Sequence, residues 1–226
     1  GAGTNGRLGA VKINSATNVT VADGAAFVAT SIEQVAVSGT GTTTFGGTVN
    51  TNGQIDAGGS PANLNGIDIT GNNVRFKDTV TTTGSGAVSI DNAGTLTIDN
   101  GANFSLDGAF AQVSTDGTGS VSLGGNITTT DDAISFAKAV TLTNGVTLTS
   151  TTTAAAVGGP TTGATVTFGE TLDSDSTARA LTIAAGTGNI DFDGAVGDTN
   201  DLGAVTIVSV DVLTADQVFT AASFTQ

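Results

Sequence analysis

The chain of 226 residues contains no cysteine, histidine, methionine, tryptophan or tyrosine, and only two prolines. Without cysteine there is no disulfide framework and no thiolate metal site, which suits a secreted protein that does not rely on oxidation as well as a cytosolic one. Without histidine or cysteine, a nucleophilic serine would need lysine as its base. Of the three lysines, Lys12, Lys77 and Lys138, only Lys138 stands three positions after a serine, in Ser135-Phe136-Ala137-Lys138, and no nucleophilic triad is expected. Positive charge is also scarce. Six Lys plus Arg against twenty Asp plus Glu give a formal charge of −14, which repels a phosphate backbone and disfavours nucleic acid as a partner. The same sign argues against a basic patch on anionic lipid, and no apolar run approaches the roughly 20 residues of a membrane span. No charged segment followed by an apolar one opens the chain, so a removed signal peptide or an internal fragment is expected.

What is present is thirty-three glycines, ten phenylalanines and an alphabet of Thr, Ala, Val, Asn and Asp, which is biased to strands and turns. A phrase recurs in which a β-branched residue precedes a large apolar one, followed four positions later by another apolar residue. It is centred on Phe45, Phe76, Leu106, Phe136, Phe168 and Phe192, at successive spacings of 31, 30, 30, 32 and 24 residues. Between these anchors lie further short segments with period-two alternation, such as AVSI at 87–90, TLTI at 95–98 and SVSL at 120–123. Gly, Asn and Asp punctuate the joins, as in DNAG at 91–94 and GTGN at 186–189, where sharp turns need positive φ. The expected fold class is all-β: a parallel β-solenoid with about 30 residues and three short strands per coil, about seven coils forming one segment over residues 1–226. Tandem immunoglobulin-like sandwiches would repeat near 100 residues with a buried Trp or Tyr, and a hairpin barrel would show two-residue turns between long strands. No segment keeps a helical apolar period over three turns.

A longer period overlays the short one. Leu8-Gly-Ala-Val11, Ile13 and Ser15 recur as Leu202-Gly-Ala-Val205, Ile207 and Ser209, while Phe27, Ala29, Ser31 and Gln34 recur as Phe219, Ala221, Ser223 and Gln226. Residues 202–226 thus restate 8–34, a tandem unit of roughly 193 residues. Neither end carries a polar or helical cap, so axial assembly through Phe219 and Phe224 is expected, with the next coil either covalent or from another protomer. The phrases GNIDFDGAVG, LGAVTI and GATVTF resemble the imperfect repeats of giant bacterial surface proteins of the filamentous-haemagglutinin-like adhesin and autotransporter-passenger type. That resemblance implies a right-handed β-helix exported to the bacterial cell surface as stalk, fibre or adhesin, with a surface glycan or protein as receptor.

Chemistry has few candidates. Parallel β-helices that cleave polysaccharides would use paired carboxylates or carboxylate-bound calcium, and the residues in suitable pairs are Asp131 with Asp132, Asp173 with Asp175, and Asp198 with Asp201. No sugar-stacking Trp or Tyr accompanies them, and each pair also reads as a solvated turn in which Asp caps its own backbone. The expectation is a non-enzymatic protein without a cofactor, calcium being the one cation these carboxylates would take. The alternatives are a carbohydrate-active β-helix enzyme and an ice- or mineral-binding solenoid. Threonine clusters at 79–84, 126–131 and 146–153 raise the latter, but along the sequence they vary in phase and read as ordinary strand surface.

Overall fold

The computed structural model describes residues 6–35, 41–53, 65–113, 117–151 and 162–226. Among these residues there is no helix, and every paired strand runs parallel to its neighbours. A seven-stranded sheet is formed by Val19–Val21, Thr42–Phe45, Asn73–Phe76, Thr95–Ile98, Ser120–Leu123, Val140–Leu142 and Leu172–Ser174. The remaining strands make a larger sheet that contains two rows. The middle row runs through Val49–Thr51, Val80–Thr82, Phe104–Ser105, Ile127–Thr128, Val146–Thr149, Leu181–Ala184, Leu202–Ser209 and Ala221–Thr225. The closing row runs through Asn65–Gly71, Ala87–Asn92, Phe110–Val113, Ile134–Phe136, Val166–Phe168, Ile190–Phe192 and Leu213–Ala215. Phe27–Gln34 joins the rows, its first half pairing with Val49–Thr51 and its second with Asn65–Gly71, and Leu8–Ile13 lies against it. From residue 42 to 192 the chain visits the seven-stranded sheet, the middle row and the closing row in strict rotation, an arrangement consistent with a β-solenoid.

Strands of three or four residues suffice because alternate side chains point inward and stack on those of the next pass. In the seven-stranded sheet one inward column is Val21, Phe45, Phe76, Ile98, Leu123, Leu142 and Ser174. In the closing row the corresponding column is Ile69, Ile90, Gln112, Phe136, Phe168, Phe192 and Ala215. All six phrase residues are buried, from Phe45 at 0 % exposure to Leu106 at 3 %. They do not share one column. Phe45 and Phe76 belong to the seven-stranded sheet, Phe136, Phe168 and Phe192 to the closing row, and Leu106 to the bend after Phe104–Ser105.

The expected 30-residue period departs from the register for the same reason. Paired inward residues stand 22 positions apart at Phe76 and Ile98, 25 at Ile98 and Leu123, and 19 at Leu123 and Leu142. Intervals of 31 and 32 occur at Phe45 with Phe76 and at Phe136 with Phe168, and these contain residues 54–64 and 152–161, which lie outside the described set. Phenylalanine occupies whichever row has room for a ring, so counting from ring to ring does not count passes of the chain.

All ten phenylalanines nevertheless touch in one continuous run, from Phe27 through Phe45, Phe76, Phe104, Phe110, Phe136, Phe168, Phe192 and Phe219 to Phe224, with ring centroids 5.0 to 6.0 Å apart. Such aromatic pairs contribute about 0.5–1.5 kcal/mol each beyond area burial. Several polar groups inside bond one another, whereas Thr51 Oγ1 and Asn52 Oδ1 are buried without a hydrogen-bond partner. Thr43 Oγ1 donates to Gln34 Oε1 at 2.8 Å, and Gln112 Nε2 donates to Asn92 Oδ1 at 3.0 Å while its Oε1 accepts from Lys138 N at 3.0 Å. At the bend before Ile127–Thr128 a Cβ on Gly125 would lie 2.3 Å from the carbonyl oxygen of Ala102, so successive passes touch there backbone to backbone.

The repeated ends pair in the same local register. Leu8, Ala10 and Lys12 face Ala29, Ser31 and Glu33, and Leu202, Ala204 and Thr206 face Ala221, Ser223 and Thr225.

Candidate functional site

Of the acidic residues singled out from the sequence, Asp173 lies on the strand Leu172–Ser174 and the others fall at three bends. Asp131 and Asp132 lie between Ile127–Thr128 and Ile134–Phe136, where Asp131 takes a left-handed φ of 58° and accepts from Thr162 Oγ1 at 2.9 Å. Asp132 is half-buried, and its backbone oxygen accepts from Thr129 Oγ1. Burial raises its carboxyl pKa above the ordinary value, and the negative charges of Asp107 and Asp131 add to the rise.

Asp173 and Asp175 are each held by hydrogen bonds. Asp173, outward on Leu172–Ser174, accepts from Thr199 N at 2.9 Å and Asn200 N at 3.3 Å, which ties it to the bend carrying the exposed Asp198 and Asp201. Asp175 turns to a different partner. Its Oδ1 accepts from Arg179 Nε and from Thr177 N, both at 2.9 Å, and its Oδ2 from Arg179 Nη2 at 2.8 Å. The hydrogen bonds from Arg179, and then that from Thr177, hold its pKa below the ordinary carboxylate value. The structure therefore joins Asp173 to the loop of Asp198 and Asp201 and separates it from the chemistry of Asp175. Among the described residues no three Asp or Glu side chains form a group that could hold a metal ion.

Phe219 and Phe224 sit at the last passes of the chain. Phe219 bridges in parallel to Val196 and packs on Phe192 at 5.6 Å, whereas Phe224 pairs with Val205 and is 47 % exposed. Val208, Val212 and Val218 are exposed in the same region, which contains no Lys or Arg after Arg179.

The outer face of the middle row carries an array that sequence reasoning missed. Asn50, Thr81, Ser105, Thr128 and Thr149 pair successively with one another and form one outward column. Two residues earlier on each pass stand Thr48, Thr79, Asn103, Asn126 and Thr147, and this second column continues through Thr182, Thr206 and Thr225. In the threonine clusters at 79–84, 126–131 and 146–153, the pairs Thr79 with Thr81, Asn126 with Thr128 and Thr147 with Thr149 thus share one phase in three dimensions, whereas Thr82, Thr129, Ser150 and Thr151 are buried and residues 152 and 153 lie outside the described set. Asn126 N donates to Asn103 Oδ1 at 2.9 Å and Thr147 N to Asn126 Oδ1 at 2.8 Å, so both amides are fixed to the pass above. The signal was the motif Thr or Asn, apolar, then Asn, Thr or Ser, read at 48–50, 79–81, 103–105, 126–128 and 147–149. Unequal spacing of the passes hides it along the chain.

Comparison with protein-family models, with curated proteins and with solved structures found no match to this chain.

Proposed function

We propose that the chain is a non-enzymatic structural segment of an extracellular bacterial fibre or stalk, built as a right-handed β-helix. The observation that carries this reading is the unbroken run of nine contacts among ten phenylalanines beneath strands that pair only in parallel. Main-chain hydrogen bonds directed along one axis, over a solid aromatic interior, resist bending and extension. Two of the candidate carboxylates, Asp173 and Asp175, are already occupied in holding bends of the chain, which suits turns better than a cleavage site. Extension along the axis, by more chain or by another protomer, would pair on Ala221–Thr225 and cover Phe219 and Phe224. Small-angle scattering and electron microscopy of the purified chain test the reading. Ten strands stacked in line with the middle row, counting Leu8–Ile13 and Phe27–Gln34, correspond to a rod about 43 Å long at about 4.8 Å per pass. A globular scattering profile, or reproducible release of product from a polyuronate or neutral glycan, would overturn it.

A further inference from the structure

We infer that the outer face of the middle row is a binding surface for ice. This goes beyond a role as fibre or stalk and stands or falls separately from it. Five successive passes present two residues each to solvent: Thr48 with Asn50, Thr79 with Thr81, Asn103 with Ser105, Asn126 with Thr128, and Thr147 with Thr149. Stacked strands and alternate residues set the repeat, about 4.8 Å along the axis and about 6.6 Å along the strand. The result is a two-dimensional lattice of hydroxyl and amide groups with threonine methyls among them. Its members are stiff, because the β-branch restricts each threonine and hydrogen bonds to the neighbouring pass pin Asn103 and Asn126.

Charge selects the partner. On a chain of net charge −14, neither column contains a charged residue across these five passes. The ion pairs Lys12 with Glu33, Arg75 with Asp99, Lys77 with Asp23, Lys138 with Glu170 and Arg179 with Asp175 all lie outside the columns. Arg7 reaches the array only at its first pass, donating to the backbone and side chain of Asn50. A rigid periodic face matches a periodic surface better than it matches a flexible chain. An ionic mineral would be met by charge, which is absent here, and a crystalline polysaccharide by exposed aromatic platforms. The chain has no Trp or Tyr, and no phenylalanine faces outward in these passes. Crystalline water is the periodic surface recognised by uncharged donors and acceptors, since waters held in register by the array continue the ice lattice.

The test uses the purified 226-residue chain with a fluorescent label, measuring partition into growing ice, crystal habit and inhibition of recrystallisation. The unmodified chain should enter the ice, shape the crystals and slow recrystallisation. Thr128→Lys, in the array, should raise the concentration needed for inhibition by tenfold or more with an unchanged circular-dichroism spectrum. Ser122→Lys, outward on the seven-stranded sheet, should leave it unchanged. Exclusion of the unmodified chain from ice would overturn the inference, as would equal loss in both variants. Binding to microcrystalline cellulose through the same face, with no effect on ice, would overturn it in favour of a polysaccharide. Should Thr128→Lys fail to fold, Thr147→Ser, which keeps the hydroxyl and removes one exposed methyl, provides the comparison. An intermediate loss of inhibition supports the inference, and none overturns it.

Discussion

On the seven-stranded sheet the central outward column reads Thr20, Thr44, Arg75, Thr97, Ser122, Thr141 and Asp173, with Lys77 and Asp23 paired at its edge. On the middle row the matching passes read only Thr, Asn and Ser. The two faces rest on the same interior, in which Val, Ile, Leu and Phe alternate with the outward residues and touch the same run of rings. Inward positions are constrained by packing on the passes above and below, whereas outward positions are constrained chiefly by strand propensity and solubility. Whatever distinguishes this chain from another all-β protein of parallel strands is therefore written on the outer faces, and the interior sets only their spacing.

The largest expected effect comes from breaking what the two faces share. Phe136 stacks on Phe168 at 5.2 Å and contacts Phe110 at 5.4 Å, at 1 % exposure. Phe136→Ala should destabilise the chain by about 3–5 kcal/mol, measured by denaturant unfolding. Because the column is common support, the loss should be felt on both faces, and hydrogen exchange should speed up in Thr95–Ile98 as well as in Ile127–Thr128. Acceleration confined to the closing row would show that the rows open independently.

A smaller effect sharpens the comparison at one interior polar site. Gln112 stands in the column of Phe136, fully buried, donating to Asn92 Oδ1 and accepting from Lys138 N. Gln112→Leu keeps the volume and leaves both partners unsatisfied, which costs about 1–3 kcal/mol. Thermal unfolding of this variant beside Phe136→Ala should rank the two in that order. A neutral result would mean that water replaces the amide.

The class of fold was legible in the sequence because period-two alternation and turn residues report local geometry directly, as in SVSL at 120–123 followed by the turn at Gly124 and Gly125. The pass length was not. Phe76 and Phe136 look like equivalent anchors, yet one faces inward from the seven-stranded sheet and the other from the closing row. A phenylalanine column can change rows because neighbouring rings meet across the interior, as Phe104 and Phe110 do at 5.8 Å. Burial of each anchor could be read from pattern, but its row depends on which strands pair, and that is decided by contacts between residues some 19 to 35 positions apart. The outward array was hidden for the same reason. The bonds at Asp175, by contrast, follow from a local Asx turn and an arginine four residues on.

The smallest effect separates two acidic bends by the sign of their response to pH. Burial, reinforced by Asp107 and Asp131, raises the carboxyl pKa of Asp132, so the folded chain holds that proton more tightly than the unfolded chain does. Ionising Asp132 therefore opposes folding, and the penalty is absent below the ordinary value of 3.8 and grows as the pH rises through the elevated pKa. Asp132→Asn should melt slightly above the unmodified chain at pH 7, and the difference should vanish on acidification. Asp175 has the opposite sign. Hydrogen bonds from Arg179 and Thr177 lower its pKa, so its contribution is present above 3.8 and is lost as the pH falls through the depressed pKa. Asp175→Asn should then melt below the unmodified chain at pH 7 and approach it in acid. Melting curves of the two variants across that range, at fixed ionic strength because exposed pairs are screened by salt, should converge on the unmodified chain from opposite sides. Displacement of both in the same direction at pH 7 would mean that net charge, not local bonding, governs these bends.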